Sequence, residues 1–249
     1  MLNIEEIKNT FIFHIPHSGT GIPDYSGYNM DLIDNEIKLL TDFFTDDIFY
    51  VEGIERLIFP LSRIFCDVER LPDETEPMYA KGAGFYYTHT DDNKILRAEI
   101  PAMKSAVYQD YYLPHHKKLE QMVESRLNSY GVANIVDCHS FPNKAFQRDF
   151  HQERNRPDIC IGVDDFHTPK RQTDSIKAAC EKFGLSWRIN YPYEGTVVPM
   201  RYYRIDSNVN SIMIEINRDL YIDNQGANFK KIAHLNEFVN DVCTFEKYI

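Results

Sequence analysis

The sequence predicts an α/β fold, a three-layer sandwich with a mainly parallel or mixed central sheet. Three observations predict it. Short apolar runs alternate with stretches of helical periodicity. Reactive side chains, among them His17, His139 and Glu215, fall in those runs or just after them, and open α/β sheets place their chemistry at strand ends. The chain has 249 residues, enough to bury one sizeable core, and no linker, repeat or low-complexity tract divides it, so a single domain over 1–249 is expected.

Phe11 to Ile15 is an apolar strand carrying His14, and it runs into Pro16-His17-Ser18-Gly19-Thr20-Gly21-Ile22-Pro23. Two glycines and two prolines in eight residues forbid regular structure, so a loop follows the strand. His17 stands where a first metal ligand would stand, although such a residue taken alone is more often a loop histidine satisfied by backbone hydrogen bonds. Asp31 to Tyr50 has an apolar stripe at Ile33, Ile37, Leu40, Phe44 and Ile48 and is expected to be one helix. Asp42 and Asp46 then share a face, where like charges repel by a few tenths of a kcal/mol (roughly 0.2–0.5) unless a cation or arginine separates them.

Ile58 to Val68 predicts a bent strand or strand pair broken at Pro60, with Arg63, Asp67 and Arg70 along it. The polar, Gly-containing stretch 73–90 predicts a long surface excursion. Pro101 opens a helix that Gly131 closes, with a kink expected at Pro114. Of the adjacent His115 and His116, only one can readily face the interior, because neighbours on a helix point about 100° apart.

Asn134 to Phe141, Asn-Ile-Val-Asp-Cys-His-Ser-Phe, is the most informative strand. Alternation sends Asp137 and His139 to the same side, so a ligand-type imidazole gains a carboxylate to orient it or to share its ion. Asp158 to Val163 predicts a short strand, Thr173 to Phe183 a helix capped by Thr173 and ended by Gly184, and Leu185 to Asn190 another strand. Ser211 to Ile216 reads as fully buried yet contains Glu215, a placement that is costly unless the carboxylate is paired or employed. An ion pair with Arg218 is the structural explanation and catalysis the chemical one. Phe229 to Phe245 predicts a C-terminal amphipathic helix.

Composition excludes several functions. The net charge of -11 argues against broad attraction to nucleic acid or anionic membrane, while an acidic small substrate requires arginines gathered locally. Five scattered cysteines without a Cys-x-x-Cys pair argue against disulfide or thiolate-zinc frameworks and fit a reducing compartment. The N-terminus lacks a secretory pattern and no apolar run approaches about 18 residues, so a cytoplasmic protein is expected. Two histidines and a carboxylate suit Zn²⁺, with a fourth position left for water whose pKa falls toward about 7. A nearby glutamate can take its proton, and arginines can hold an acidic substrate. A hydrolase acting on an amide in an acidic small molecule follows.

Ile15-Pro16-His17-Ser18-Gly19-Thr20 with Ile22-Pro23, then Thr41-Asp42-Phe43-Phe44-Thr45-Asp46, resembles the opening of the N-formylglutamate amidohydrolase family. The same holds for Ser62-Arg63, Asp67-Val68-Glu69-Arg70, Tyr87-Thr88-His89-Thr90, Pro114-His115-His116 and Asp137-Cys138-His139-Ser140. Pro157-Asp158-Ile159-Cys160-Ile161-Gly162, Tyr191-Pro192-Tyr193-Glu194-Gly195-Thr196 and Ile214-Glu215-Ile216-Asn217-Arg218-Asp219-Leu220-Tyr221 complete a series spanning residues 12 to 223 in family order. Each motif is weak singly, and the ordered series is specific.

The resemblance implies a fold like that of zinc-dependent exopeptidases (phosphorylase/hydrolase-like) and hydrolysis of N-formyl-L-glutamate to formate and glutamate, a step in histidine breakdown. It implies Zn²⁺, or another divalent metal, held by His17, His139 and a carboxylate, with Asp46 preferred to Asp42. Glu215 takes the general-base role, and Arg70, with Arg63 and Arg218, binds substrate carboxylate. Arg70 resembles the arginine of the Asp-x-Asn-Arg motif of zinc carboxypeptidases, although this chain has Glu69 where those enzymes have asparagine. Two other functions compete: a zinc amidase or carboxypeptidase acting on another N-acyl amino acid or small peptide, and a metal-free binding protein on the same fold.

Overall fold

Strands β1 (Phe11–Ile15), β2 (Glu55–Ile58), β3 (Ala133–Phe141), β4 (Ile159–Gly162), β5 (Trp187–Ile189) and β6 (Val209–Asn217) form one sheet in a computed structural model that describes residues 2–243. Their order is β2-β1-β3-β6-β4-β5. β2, β1, β3 and β6 run parallel, β4 is antiparallel to β6, and β5 is parallel to β4. The sheet is therefore mixed and mainly parallel, and its two longest strands lie side by side at the centre. A separate hairpin pairs β7 (Ile222–Asp223) with β8 (Gly226–Ala227).

Helices α1 (Ile4–Lys8), α2 (Met30–Leu40), α3 (Thr45–Ile48), α4 (Pro101–Val107), α5 (Leu113–Tyr130), α6 (Lys170–Phe183) and α7 (Phe229–Val242) surround the sheet. Strand alternation divides the packing. Phe13 and Ile15 of β1, Val136 and Cys138 of β3, and Ile214 and Ile216 of β6 join Ile176 and Ala179 of α6 and Leu235 and Phe238 of α7 in one core. Ile12, Ala133 and Ile135 point the other way, against Leu119, Met122 and Val123 of α5. Each such fully buried side chain contributes about 1.5–3 kcal/mol. The chain is thus a three-layer α/β sandwich with helices on both sheet faces. On the α5 face the apolar side chains stop short of the strands' C-terminal ends, and His14, Asp137, His139 and Glu215 continue the rows.

Several boundaries differ from the sequence expectation for identifiable reasons. The stretch 31–50 is two helices, not one, because Thr41 is extended and Phe44 adopts a left-handed conformation (φ 65°) at the start of α3. The strand expected over 58–68 is confined to Glu55–Ile58; beyond Pro60 the backbone turns, with the Phe65 and Cys66 N–H groups donating to the Ser62 carbonyl. The break near Pro114 takes the form of a π-helical turn over Tyr108–Tyr112, after which α5 begins with proline in its first turn. α6 starts three residues before Thr173, behind Pro169, so that Thr173 is an interior residue instead of a cap. Residues 244 and 245 of the expected final helix lie outside the described residues. All five cysteines are buried free thiols, and no described helix is long and apolar enough to cross a membrane.

The loop after β1 is held against the β2 exit. An added Cβ at Gly19 would lie 2.4 Å from the Pro60 carbonyl carbon, so only glycine lets these two backbones meet. That contact fixes His17, two residues earlier, over the C-terminal edge of the sheet.

Candidate active site

β3 delivers His139 and Asp137 to one side of the sheet, and β6 places Glu215 in register with His139. The loop after β1 brings His17 to meet them: the two Nδ1 atoms are 3.3 Å apart. The loop after α2 supplies the carboxylate. Asp42 N–H donates to the His17 carbonyl, which places Asp42 Oδ2 3.3 Å from His139 Nδ1 and 3.8 Å from His17 Nδ1.

His17 and His139 each have a second carboxylate behind the ring. His17 Nε2 lies 2.9 Å from Asp67 Oδ1, and His139 Nε2 lies 3.1 Å from Asp137 Oδ1. A carboxylate accepts and does not donate, so each ring carries a proton on Nε2 and can turn the Nδ1 lone pair toward its neighbour. Bonds of about 2.0–2.1 Å to a tetrahedral Zn²⁺ put adjacent donors roughly 3.3–3.4 Å apart. The separations of 3.3, 3.3 and 3.8 Å among His17, His139 and Asp42 are close to that edge, so these residues fit a divalent ion.

The electrostatics support the arrangement. Burial alone would raise the Asp42 carboxyl, but the Arg218 guanidinium together with His139 and His17 outweighs it and holds Asp42 below the usual carboxylate range. Burial likewise pulls His17 down, and Arg63 adds to the effect, keeping that ring neutral as a ligand must be. At His139 burial is overcome by the Glu69 and Asp137 carboxylates, which raise it well above an ordinary histidine. Burial pushes Glu215 up to about 8, and its Oε2 has no hydrogen-bond partner among the described residues.

The structure brings His17, His139, Glu215, Arg63, Arg70 and Arg218 to one region and leaves Asp46 apart. Asp46 sits on α3, partly exposed, where its backbone carbonyl accepts from Arg56. Asp46, the carboxylate the sequence favours, stands apart from the histidines: with the helix broken at 41–44, the two aspartates no longer share a face, and of the two only Asp42 reaches the histidines. The arginines also divide. Arg218 donates to Asp42 at 2.5 Å, to Ser140 Oγ and to the Ser140 and Leu39 carbonyls. Arg63 donates twice to Asp67 Oδ2, at 3.1 and 2.9 Å. Arg70 contacts Glu76 at 3.2 Å, keeps 29% of its side chain exposed, and among the described residues its Nε has no hydrogen bond, only an ion-pair contact with Asp67 Oδ2 at 3.7 Å.

Three residues with contacts here escape the sequence argument. His14 lies 2.9 Å from Asp137, His115 lies 2.8 Å from His14, and Glu69 lies 3.0 Å from His139. The signal for His14 was present: a histidine in a five-residue apolar strand is as anomalous as Glu215 in its own. Burial pushes His115 down to about 2 and His116 to about 4, with neighbouring His14 adding to both. A histidine held neutral in the fold but free to charge when unfolded stabilises fully above its ordinary pKa of about 6.5. That contribution is lost as pH falls from there toward the folded value. Stability of the wild type should therefore drop between pH 6.5 and 4, and His116→Asn should show a shallower slope in urea titrations over that interval. Parallel slopes would remove His116 as a contributor.

Comparisons with known proteins bear on the family and the fold. A family model described as N-formylglutamate amidohydrolase matches residues 9–222. Among solved structures, the N-formylglutamate amidohydrolase from Ralstonia eutropha JMP134 is similar, with 21% identity and a TM-score of 0.81 over 96% of this chain and 93% of that one. A gene product from Agrobacterium tumefaciens is 19% identical, with a TM-score of 0.68 over 97% of this chain and 90% of its own. At such identities the likeness establishes the fold. No curated protein matches the sequence.

Proposed function

The chain belongs to the N-formylglutamate amidohydrolase family, and from that premise we propose that it cleaves the formamide C–N bond of N-formyl-L-glutamate to give formate and glutamate. His17, Asp42 and His139 would hold a divalent metal, preferably Zn²⁺, beside the scissile bond. The observation that carries this reading is the three donor atoms at 3.3, 3.3 and 3.8 Å beside a buried glutamate with an unpartnered oxygen. When bound, the metal supplies Lewis acidity, which lowers the pKa of water and polarises an acyl oxygen.

The chain's own residues do the rest. Glu215 takes a proton from the attacking water and returns it to the leaving nitrogen. Asp67 and Asp137 fix the tautomers of His17 and His139. Arg218 and Arg63 act as positioning residues, because their guanidinium groups already hold Asp42 and Asp67. Arg70 is the group that recognises a substrate carboxylate, in a chain whose net charge of -11 would otherwise repel a dianion. The buried free thiols support a reducing, cytoplasmic setting, and this activity would serve histidine breakdown.

A panel of N-formyl, N-acetyl and N-succinyl amino acids tests the reading, with N-formyl-L-glutamate expected to give the highest kcat/KM. A clear preference for N-acetyl or N-succinyl substrates would transfer the protein to the wider class of N-acyl amino acid amidases. Arg70→Lys retains the charge but loses the planar fork, so KM should rise with little change in kcat. An unchanged KM would take Arg70 out of substrate recognition.

A further inference from the structure

His14 lies in the middle of the sheet, 1% exposed, beside the site described above. Its Nδ1 is 2.9 Å from Asp137 Oδ1 and 3.5 Å from Glu69 Oε1. Glu69 turns its other oxygen, Oε2, toward the first site, 3.7 Å from His17 Nδ1, and it lies 3.0 Å from His139 Nε2 on the far side of that ring. Both groupings, His14 with Glu69 and Asp137, and His17 with Glu69 and His139, keep their donor atoms within 4.8 Å of one another, close enough to hold an ion. We propose that the chain binds a second divalent cation through His14, Asp137 and Glu69, with the Glu69 carboxylate shared between the two ions.

Charge balance is the independent support. Asp42 and Asp67 are each neutralised by an arginine. Among the described residues, Glu69 and Asp137 form ion pairs with histidines only. Two carboxylates whose side chains are 17% and 3% exposed thus face histidines without an arginine or lysine, and a cation between them would lower the cost of burying both charges. Paired metal ions in hydrolytic sites sit about 3.5–4 Å apart, a distance that one carboxylate spans.

The outer contacts fit ligation as well. His14 Nε2 lies 2.8 Å from His115 Nε2, so a proton there donates to His115 and frees the Nδ1 lone pair. The Val197 N–H donates to Asp137 Oδ2 at 3.1 Å, which leaves Oδ1 turned toward His14. A metal-free hydrogen-bonded chain accounts for His14 and Asp137. It leaves Glu69 and Asp137 competing for the single Nε2 proton of His139, at 3.0 and 3.1 Å.

The inference rests on the first metal centre proposed above, and counting metal separates the two. The full chain, stripped with a chelator, is titrated with Zn²⁺ by calorimetry, and its metal content is measured after desalting. Two equivalents are expected for the wild type and one each for His14→Gln and Glu69→Gln. Loading with Mn²⁺ should give the exchange-coupled resonance of a bridged pair, replaced in His14→Gln by the six-line signal of an isolated ion. One equivalent in the wild type, with an isolated-ion Mn²⁺ signal, would overturn the second site and leave the first intact. No bound metal would overturn both. The wild-type measurement decides the matter even if the variants fold poorly.

Discussion

Glu215→Gln should lower kcat on N-formyl-L-glutamate by about 10²–10⁴-fold, the range typical of a positioned proton transfer, while the protein stays folded and keeps its metal. Glutamine preserves the shape and the hydrogen-bonding reach of the side chain but cannot accept a proton. The structure separates this role from a structural one. Arg218, the obvious partner for a buried glutamate, gives its guanidinium to Asp42, Ser140 and the Leu39 carbonyl instead. Glu215 is left with a buried, unpartnered oxygen on the strand beside His139, and burial raises it to about 8. The substitution should therefore leave the melting temperature close to that of the wild type, because Glu215 Oε2 has no hydrogen bond among the described residues to lose. A variant with near-normal turnover and a lowered melting temperature would make Glu215 a structural residue.

Asp42→Asn should reduce metal affinity by more than the roughly 10–100-fold typical of losing an outer-shell contact, and it should also destabilise the fold. The second effect follows from the pairing with Arg218: breaking a buried ion pair from one side costs about 3–5 kcal/mol, because the remaining charge stays buried. Asp46→Asn, four residues on and partly exposed, should fall within about 0.5 kcal/mol of wild type and keep its metal. Elemental analysis and thermal melts of the two variants give opposite answers for the two candidate carboxylates. Metal loss in Asp46→Asn with retention in Asp42→Asn would reverse the assignment.

His17, His139 and Glu215 are legible in the sequence because each falls within or just after an apolar run, where an α/β sheet exposes its strand ends. Strand alternation also puts Asp137 behind His139 without any tertiary knowledge. The choice between Asp42 and Asp46 is not legible in that way. It turns on the left-handed Phe44, a conformation that sequence periodicity carries straight through as helix. Glu69 is harder still. It reaches His14 and His139 from a turn more than fifty residues away in sequence, and only the folded sheet makes them neighbours. The arginines were identifiable by type, but the closer commitment of Arg63 and Arg218 to aspartates, and the greater exposure of Arg70, depend on packing.

The central claim is that this chain hydrolyses N-formyl-L-glutamate through a metal held by His17, Asp42 and His139. Formate release from that substrate should be followed with the same preparation as purified, after chelator treatment, and after Zn²⁺ is restored. The account predicts formate and glutamate in equal amounts from the metal-replete protein, loss of turnover on stripping, and recovery on reloading. Turnover that is indifferent to chelation in protein shown to be metal-free would contradict it.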